Sequence, residues 1–202
     1  MISKPFTFAV LSDAHIGPPE VDDCLSNRLF AARNQRAIEL INEFSPEFAI
    51  HLGDMSHPIL GLPEHEHATQ EARVLYDQLD CPLFVLPGNH DVGDKPNAWT
   101  PAPGVTMDAH NVFEECWGPS FQSFDFGNCH FALINSSVLN LGLERENKQR
   151  DWLQASLAAS QQSSKRIFIF THYPLYLYKT TEPEHYDNIG EPARSWLLYL
   201  LK

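Results

Sequence analysis

Potential ligand residues stand directly after each of four short apolar runs in the sequence. Asp13 and His15 follow the first run, Gly53-Asp54 the second, Gly88-Asn89-His90-Asp91 the third and His172 the fourth. Carboxylate, imidazole and amide oxygen suit divalent metals such as zinc, manganese and iron, and the absence of cysteine from the set argues against a soft thiolate site. The sequence therefore predicts a metal site assembled from four separate segments.

This ligand set favours a dinuclear site, because a carboxylate such as Asp54 can bridge two ions. Two ions roughly 3.5–4 Å apart can hold a hydroxide nucleophile between them and clamp the phosphoryl oxygens during in-line displacement. We therefore expect two divalent metal ions (Mn, Fe or Zn) and hydrolysis of a small phosphoester substrate, either a mono- or a diester. The predicted ligands are Asp13, His15, Asp54, Asn89 and His172.

His90 is the predicted catalytic side chain. It stands beside Asn89 and could point at the leaving-group oxygen, and we expect Asp91 to fix the tautomer of His90 and to raise its basicity. These two residues are therefore predicted to act together during protonation of the leaving group.

Three further residues lie in irregular segments and have open roles. His57 is close to Asp54 in the sequence and is a candidate substrate contact, with an ordinary loop histidine as an equal alternative. His185 and Tyr186 belong to the irregular stretch 173–192 after His172. They could contribute to a lid over the site or replace a missing ligand, and the lid is the favoured interpretation.

Short apolar runs alternate with helical patterns along much of the chain. The predicted strands are Phe6–Leu11, Phe48–Leu52, Leu83–Leu86 and Ile167–Phe170. The predicted helices are Arg28–Phe44, Ala68–Leu79, Arg145–Ala159 and Glu191–Leu201. Alternation of this kind is typical of βαβ units and a largely parallel sheet, whose strands end along one edge. That edge would bring the candidate residues together.

The middle of the chain has a different pattern, which predicts a second sheet. Phe121–Phe126 largely alternates apolar and polar residues, Gly127-Asn128 supplies a turn, and Cys129–Asn135 is largely apolar. These features predict an antiparallel hairpin.

Composition limits the class of protein further. A chain of 202 residues, 43% of them hydrophobic, predicts one globular domain over residues 1–202,. The formal charge of −12 argues against a surface that attracts DNA or RNA phosphates,. No apolar run approaches the roughly 18 residues of a membrane helix, and the N-terminus has no signal-peptide pattern, so we expect no membrane association and a cytoplasmic location.

The ordered motifs resemble those of the calcineurin-like metallophosphoesterase superfamily. They are Asp13-Ala14-His15, Gly53-Asp54, Gly88-Asn89-His90-Asp91 and Thr171-His172-Tyr173-Pro174. The resemblance implies an α/β fold, a four-layer αββα sandwich of two mixed sheets flanked by helices. It implies that one ion is bound by Asp13, His15 and Asp54, and the other by Asp54, Asn89 and His172. It also implies that His90 is the acid or a phosphate contact.

Two positions narrow the resemblance within the superfamily. Asp91 follows the Gly-Asn-His motif, where the phosphoprotein-phosphatase branch has glutamate. No tyrosine stands three residues after Asp54, where His57 is found, which argues against a purple acid phosphatase with its tyrosine on ferric iron. The chain is more similar to small bacterial phosphodiesterase and phosphatase members.

One expected motif of the superfamily is missing. No Gly-His-x-His occurs up to Lys202, which lies in the helix predicted before that motif. We therefore expect either the N-terminal portion of a longer protein, C-terminally incomplete, or a protein that has lost its final ligands. The alternative function is a non-catalytic remnant that acts as a weak metal-binding or interaction module. An uncovered sheet edge would favour aggregation or oligomers.

Overall fold

The computed structural model describes residues 4–17, 27–95 and 103–202. The strands in this part of the chain are β1 (Ala9–Leu11), β2 (Ala49–His51), β3 (Leu83–Val85), β4 (Gln122–Phe126), β5 (Cys129–Leu133) and β6 (Arg166–Phe170). The helices are α1 (Asn27–Phe44), α2 (His65–Tyr76), α3 (Asn89–Val92), α4 (Met107–Trp117), α5 (Glu144–Gln162) and α6 (Ala193–Leu200), with a 3-10 turn at Ser136–Val138. Within these ranges no helix is long and apolar enough to cross a membrane.

The strands form two sheets, as the sequence predicts. The first sheet has the order β1-β2-β3 and is parallel throughout, with Ala9 opposite Ala49 and Ala49 opposite Leu83. The second has the order β4-β5-β6, with an antiparallel β4-β5 hairpin and a parallel β5-β6 pair. The expectation of two mixed sheets therefore needs correction, because in the described residues only the second sheet is mixed.

The predicted strands and helices are confirmed close to their expected positions, and two helices are added. The sequence analysis assigned no helix to the four residues of α3, and none to α4. Its boundaries nevertheless have ordinary signals, since the Thr106 side chain caps the N-terminus by accepting the Ala109 N–H and Gly118 follows the last turn with φ 89°,. The first strand is shorter than predicted, and Phe6 and Phe8, which precede it, pack into the core.

Three apolar clusters connect the elements. One lies where α1, α2 and α4 meet the first sheet, and it includes Ile38, Tyr76, Val85 and Phe113. A second joins the two sheets and consists largely of phenylalanine, including Phe48, Phe84, Phe124, Phe131 and Phe168. A third joins the second sheet to α5 and α6 and includes Ala132, Leu153, Leu157 and Leu197. Successive residues of β5 point to different clusters, as the two-residue period of a strand requires.

Phe131 occupies the centre of the cluster between the sheets and is fully buried. Its ring is 5.1 Å, centroid to centroid, from both Phe124 and Phe168, and 5.0 Å from Phe48 on the facing sheet. Burial of aromatic surface on this scale contributes strongly to folding and fixes one sheet against the other. The strand ends that carry the candidate site are therefore held on a rigid support.

Candidate metal centre

The loops after β1 and β2 run side by side and carry three of the predicted ligands. The Asp13 N–H donates to the Gly53 carbonyl at 3.0 Å, and the His15 N–H donates to the Asp54 carbonyl at 2.9 Å. Asp13, His15 and Asp54 have φ values of 56°, 46° and 56°, in the left-handed region. This conformation costs a non-glycine residue about 1 kcal/mol or more, and Asp and His tolerate it better than most. The two loops thus turn sharply and place these side chains together.

The first donor group consists of Asp13, His15 and Asp54, whose candidate ligand atoms all lie within 4.8 Å of one another. His15 Nε2 is 3.6 Å from Asp13 Oδ1 and 3.7 Å from Asp54 Oδ2. Burial alone would lower the pKa of His15, but hydrogen bonding to Asp13 and the charge of Asp54 raise it overall. Burial alone would raise the pKa of Asp13, but hydrogen bonds from His15 and Ser12 lower it overall. The group therefore combines negative charge with an imidazole nitrogen.

The second donor group is formed by His172, Asn89 and Asp54. His172 Nδ1 lies 2.8 Å from the Leu52 carbonyl, which can only accept, so Nδ1 carries the proton,. In the neutral imidazole the lone pair is then on Nε2, which is 3.1 Å from Asn89 Oδ1 and 3.7 Å from Asp54 Oδ1. Three electron-pair donors therefore converge here, as they do around a cation.

Asp54 lies between the two groups and is nearly completely buried. Its Oδ2 faces His15 and its Oδ1 faces His172, so that its two oxygens serve different groups. Oδ1 also accepts the His90 N–H at 2.9 Å, which fixes the carboxylate plane. Burial and the nearby Asp91 raise the pKa of Asp54. A buried carboxylate with this environment favours a cation, because a positive ion replaces the missing solvation.

Gly88 allows Asp54 to occupy this position. A Cβ on Gly88 would lie 2.1 Å from Asp54 Oδ1 and 2.6 Å from the Asp54 nitrogen. A Cβ on Gly53 would in turn meet the backbone of the loop after β3, 2.1 Å from the Gly88 nitrogen. At these two glycines the loops after β2 and β3 approach more closely than a Cβ would allow.

The expected hydrogen bond between Asp91 and His90 is not formed, which corrects the sequence-based prediction. Asp91 is buried and accepts three backbone N–H groups, from Asp54 at 2.7 Å, Met55 at 3.0 Å and Gly88 at 2.9 Å. Burial raises the pKa of Asp91, and these three donors oppose that effect. Asp91 therefore joins the second and third loops instead of orienting His90.

His90 itself lies beside the first donor group. Its Nε2 is 4.0 Å from Asp54 Oδ2, and its Nδ1 is buried without a hydrogen-bond partner among the described residues. Burial, together with the neighbouring His15 and His57, lowers the pKa of His90 to about 3. A buried polar atom of this kind usually indicates a ligand or ordered water that completes the site.

His57 is brought into the same cluster. Candidate ligand atoms of His15, His57 and His90 lie within 4.8 Å of one another, and the rings of His57 and His90 are 5.7 Å apart, centroid to centroid. The structure thus places this loop histidine beside the predicted ligands. The predicted ligands, together with His57 and His90, direct their side chains toward this common region, whereas Asp91 does not.

The sequence analysis missed Asn34 as a supporting residue, whereas it named Tyr186 and His185 as candidates with open roles. Asn34 of α1 donates to the Ala14 carbonyl at 3.0 Å and accepts the Tyr76 hydroxyl at 2.6 Å, which anchors the first ligand loop. Tyr186 lies beside the site, with its hydroxyl 3.3 Å from Asn89 Nδ2. His185, the neighbouring candidate, instead has its imidazole nitrogens 3.7 Å from a Glu182 carboxylate oxygen and 3.8 Å from one of Asp187. An isolated Asn in an amphipathic helix offers no signal for such a contact.

Residues 6–199 match the model of the family described as calcineurin-like phosphoesterase. The chain belongs to this family. It is 31% identical over 172 residues to the mouse (Mus musculus) serine/threonine-protein phosphatase CPPED1, an alignment that covers 81% of this chain and 52% of the relative. The chain thus spans about half the length of that curated relative.

Solved structures support the calcineurin-like phosphoesterase fold independently. A dimetal phosphatase from Danio rerio aligns with a TM-score of 0.64 at 14% identity, covering 97% of this chain and 77% of that one. The purple acid phosphatase PPD1 from yellow lupin (Lupinus luteus) aligns with a TM-score of 0.57 at 14% identity, covering 92% of this chain and 33% of that one. At these identities the likeness concerns the fold, an α/β architecture with two sheets and flanking helices.

Proposed function

We propose that this chain is a metal-dependent phosphoesterase that binds two divalent ions and hydrolyses phosphate mono- or diesters. The observation that carries the proposal is the position of Asp54, whose two carboxylate oxygens face two separate groups of electron-pair donors. A carboxylate in this position suits a bridging ligand. Membership of the calcineurin-like phosphoesterase family and the phosphatase names of its relatives support the same reaction class.

The two donor groups divide the ligands between two sites. Asp13, His15 and Asp54 would hold the first ion. Asp54, Asn89 and His172 would hold the second. Imidazole, carboxylate and amide oxygen together suit manganese, iron or zinc. The absence of thiolate from both groups fits these borderline and hard ions.

The chemistry of the reaction divides between the ions and the side chains. Bound divalent ions would generate a hydroxide nucleophile from water and neutralise charge on the phosphoryl oxygens. His90 and His57 stand beside the first donor group and would contact the phosphoryl group or the leaving-group oxygen. Because its pKa is lowered to about 3, the free His90 ring is neutral at pH 7 and would act as a hydrogen-bond donor. An adjacent phosphate anion would raise that pKa and favour proton donation.

The wider architecture and partners are part of the proposal. The three apolar clusters support a four-layer arrangement within a single domain over residues 1–202. One cluster lies between the first sheet and its helices, one between the two sheets, and one between the second sheet and its helices. A small phosphoester fits better than nucleic acid because the chain has a formal charge of −12,. The mouse relative is named as a serine/threonine-protein phosphatase, so a phosphoserine peptide is a reasonable second test substrate.

Ion content and turnover test this function together. The purified chain, loaded with Mn²⁺, should bind two ions by elemental analysis and cleave bis(p-nitrophenyl) phosphate or p-nitrophenyl phosphate. H90A should remove turnover while the melting temperature and ion content stay near wild type. H67A, a change at an exposed histidine of α2, is the matched control and should remain active. One ion or none, without turnover, would instead favour the non-catalytic remnant.

The two histidines beside the ligands can be separated by the same assay. H57A should raise KM or weaken inhibition by inorganic phosphate if His57 contacts the substrate. An unchanged KM and phosphate affinity would remove His57 from the substrate site, whereas an unchanged rate in H90A would remove His90 from the mechanism.

A further inference from the structure

A tyrosine from a distant segment contacts the amide of one proposed ligand. Tyr186 is 97 residues from Asn89 in sequence, and its hydroxyl accepts the Asn89 Nδ2–H at 3.3 Å. The opposite side of that amide, Oδ1, lies 3.1 Å from His172 Nε2. Asn89 is 2% exposed, so water cannot easily take the place of either contact. The carboxamide therefore lies between the Tyr186 hydroxyl, which accepts from its Nδ2, and His172 Nε2, which faces its Oδ1.

The orientation of this amide matters for cation binding. A carboxamide has an oxygen on one side and an NH₂ group on the other, and the two orientations are close in shape. Rotation by a half-turn would direct the NH₂ group of Asn89 toward Asp54 and His172, where it could not bind a cation. In the structure the Tyr186 hydroxyl accepts from Nδ2, and this contact supports the productive orientation, in which Oδ1 faces His172.

We propose that Tyr186 is a positioning residue, which holds the Asn89 carboxamide with its oxygen facing the second ion. The inference rests on the proposed function, because it assigns Asn89 to that ion. Second-sphere hydrogen bonds of this kind orient ligands in metal sites. Tyr186 thus has a role distinct from that of a metal ligand or a mobile lid.

The segment that carries Tyr186 is fixed on both sides of the residue. The Lys95 ammonium group donates to the carbonyls of His185, at 2.6 Å, and Asn188. It also lies over the Tyr173 ring, 4.8 Å from its centroid, so the lysine connects this segment to the residue after His172. A buried ammonium group with two carbonyl acceptors is costly to displace. Tyr186 is therefore presented by an ordered turn.

Hydrogen bonds within the segment complete this support. The Asn188 side chain accepts the His185 N–H at 3.0 Å and donates to Glu182 Oε1 at 2.8 Å. The Glu182 carboxylate also accepts the backbone N–H groups of Leu177, Tyr178 and Lys179. The turn around Tyr186 thus keeps its shape without help from the ligands, and loss of the hydroxyl alone should leave the turn intact.

The test uses Y186F, which removes only the hydroxyl oxygen, and the matched control Y178F. Tyr178 lies in the same segment and its side chain is 87% exposed. Titration of the ion-free chain with Mn²⁺ or Zn²⁺ should show one of the two binding events, the one that N89A also weakens, weakened roughly tenfold in Y186F. The other event should be unchanged, because its ligands do not touch Tyr186. Y178F should match wild type in both events, and both variants should keep the wild-type melting temperature.

A double-mutant cycle separates positioning from other effects. In the N89A background, Y186F should cause no further loss of ion affinity, because the amide to be oriented is gone. An equal loss in both backgrounds would overturn the proposal, as would wild-type ion affinity in Y186F. A visible charge-transfer band in the ferric-loaded chain that disappears in Y186F would show direct ligation and would also overturn it.

The same titrations distinguish this inference from the proposed function. Two binding events in wild type and in Y186F, with equal affinities, would refute positioning and leave the two-ion site standing. A wild-type chain that binds no ion would refute both. A crystal structure or selective asparagine ¹⁵N labelling of Y186F gives a readout independent of turnover, in which the environment of the Asn89 amide should change.

Discussion

Replacement of Asp91 by asparagine tests most directly how the ligand loops are held together. In the structure, Asp91 Oδ2 accepts the N–H groups of Asp54 and Gly88, and Oδ1 accepts that of Met55. Asparagine has nearly the same shape but only one oxygen. If that oxygen keeps the first two donors, the new NH₂ group must face the Met55 N–H, now 3.0 Å from Oδ1.

The cost of D91N follows from these contacts. One charge-assisted hydrogen bond is lost, worth about 1.5–3 kcal/mol, and a buried N–H is left without an acceptor at a cost of about 1–3 kcal/mol. The two remaining bonds lose charge assistance, while removal of a buried charge offsets part of the loss. A net destabilisation of about 3 kcal/mol is expected. For a chain of this size that corresponds to a decrease in Tm of roughly 6–12 °C.

Thermal and urea unfolding of D91N measure this effect, with D151N as the control. Asp151 is exposed on α5, so D151N should change stability by less than about 0.5 kcal/mol. Residual turnover should remain in folded D91N, because Asp91 does not contact His90. Unchanged stability combined with lost turnover would refute this reasoning and restore Asp91 as the partner that orients His90.

Three other perturbations test the site and its support. The ion-free protein should lose stability as pH rises from about 6.5 to 8, because the folded-state pKa of Asp54 is raised to about 8 and its protonated form is the one that folding favours,. Below this window the buried histidines, such as His90, have the opposite effect, since their lowered pKa values make stability rise with pH,. Mn²⁺ should reverse the loss at pH 8 in parallel melts. F131A should destabilise the chain by about 3–5 kcal/mol in urea unfolding, because the substitution empties the centre of the cluster between the sheets. F131L, which keeps part of the side-chain volume, should have a much smaller effect. G88A should weaken ion binding and cost about 1–3 kcal/mol, since its Cβ would overlap Asp54,; G104A, where a Cβ meets nothing within 4 Å, should be neutral by calorimetry and unfolding.

Much of the fold was predictable because its signals are periodic. The apolar runs at β1, β2, β3 and β6 are short, contain several β-branched or aromatic residues, and are separated by helical patterns, which the parallel topology explains. The β4-β5 hairpin was predictable from its alternation and its Gly-Asn turn. The missed helix α4 has a weaker pattern, although a cap and a terminal glycine mark its ends. The first sheet is purely parallel because of the way β1, β2 and β3 pair with one another. The periodicity of the sequence does not specify which strands pair.

The convergence of the candidate ligands was predictable for a topological reason. Parallel strands end at one edge, so Asp13, Asp54 and Asn89, which follow the three strands of the first sheet, come together whatever their separation in sequence,. His172 instead follows β6 of the second sheet, whereas the sequence pattern had grouped that strand with the parallel strands. The partner of Asp91 was not predictable in this way. Because Asn89–Val92 forms the short helix α3, neighbouring side chains point in directions about 100° apart,. His90 therefore turns toward the site, while Asp91 turns toward the backbone of the second loop. Sequence adjacency is a poor guide to contact in a helix.

The candidate site is held in place largely by groups that are not ligands. The His90 N–H fixes Asp54, the Leu52 carbonyl fixes His172, and the Tyr186 hydroxyl meets Asn89. Strained backbone in the first two loops is likewise maintained by bonds between the loops. Ion binding would therefore need little rearrangement, so that more of its free energy appears as affinity. The same logic explains why single oxygen atoms outside the ligand set, such as that of Tyr186, should change ion affinity without unfolding the chain.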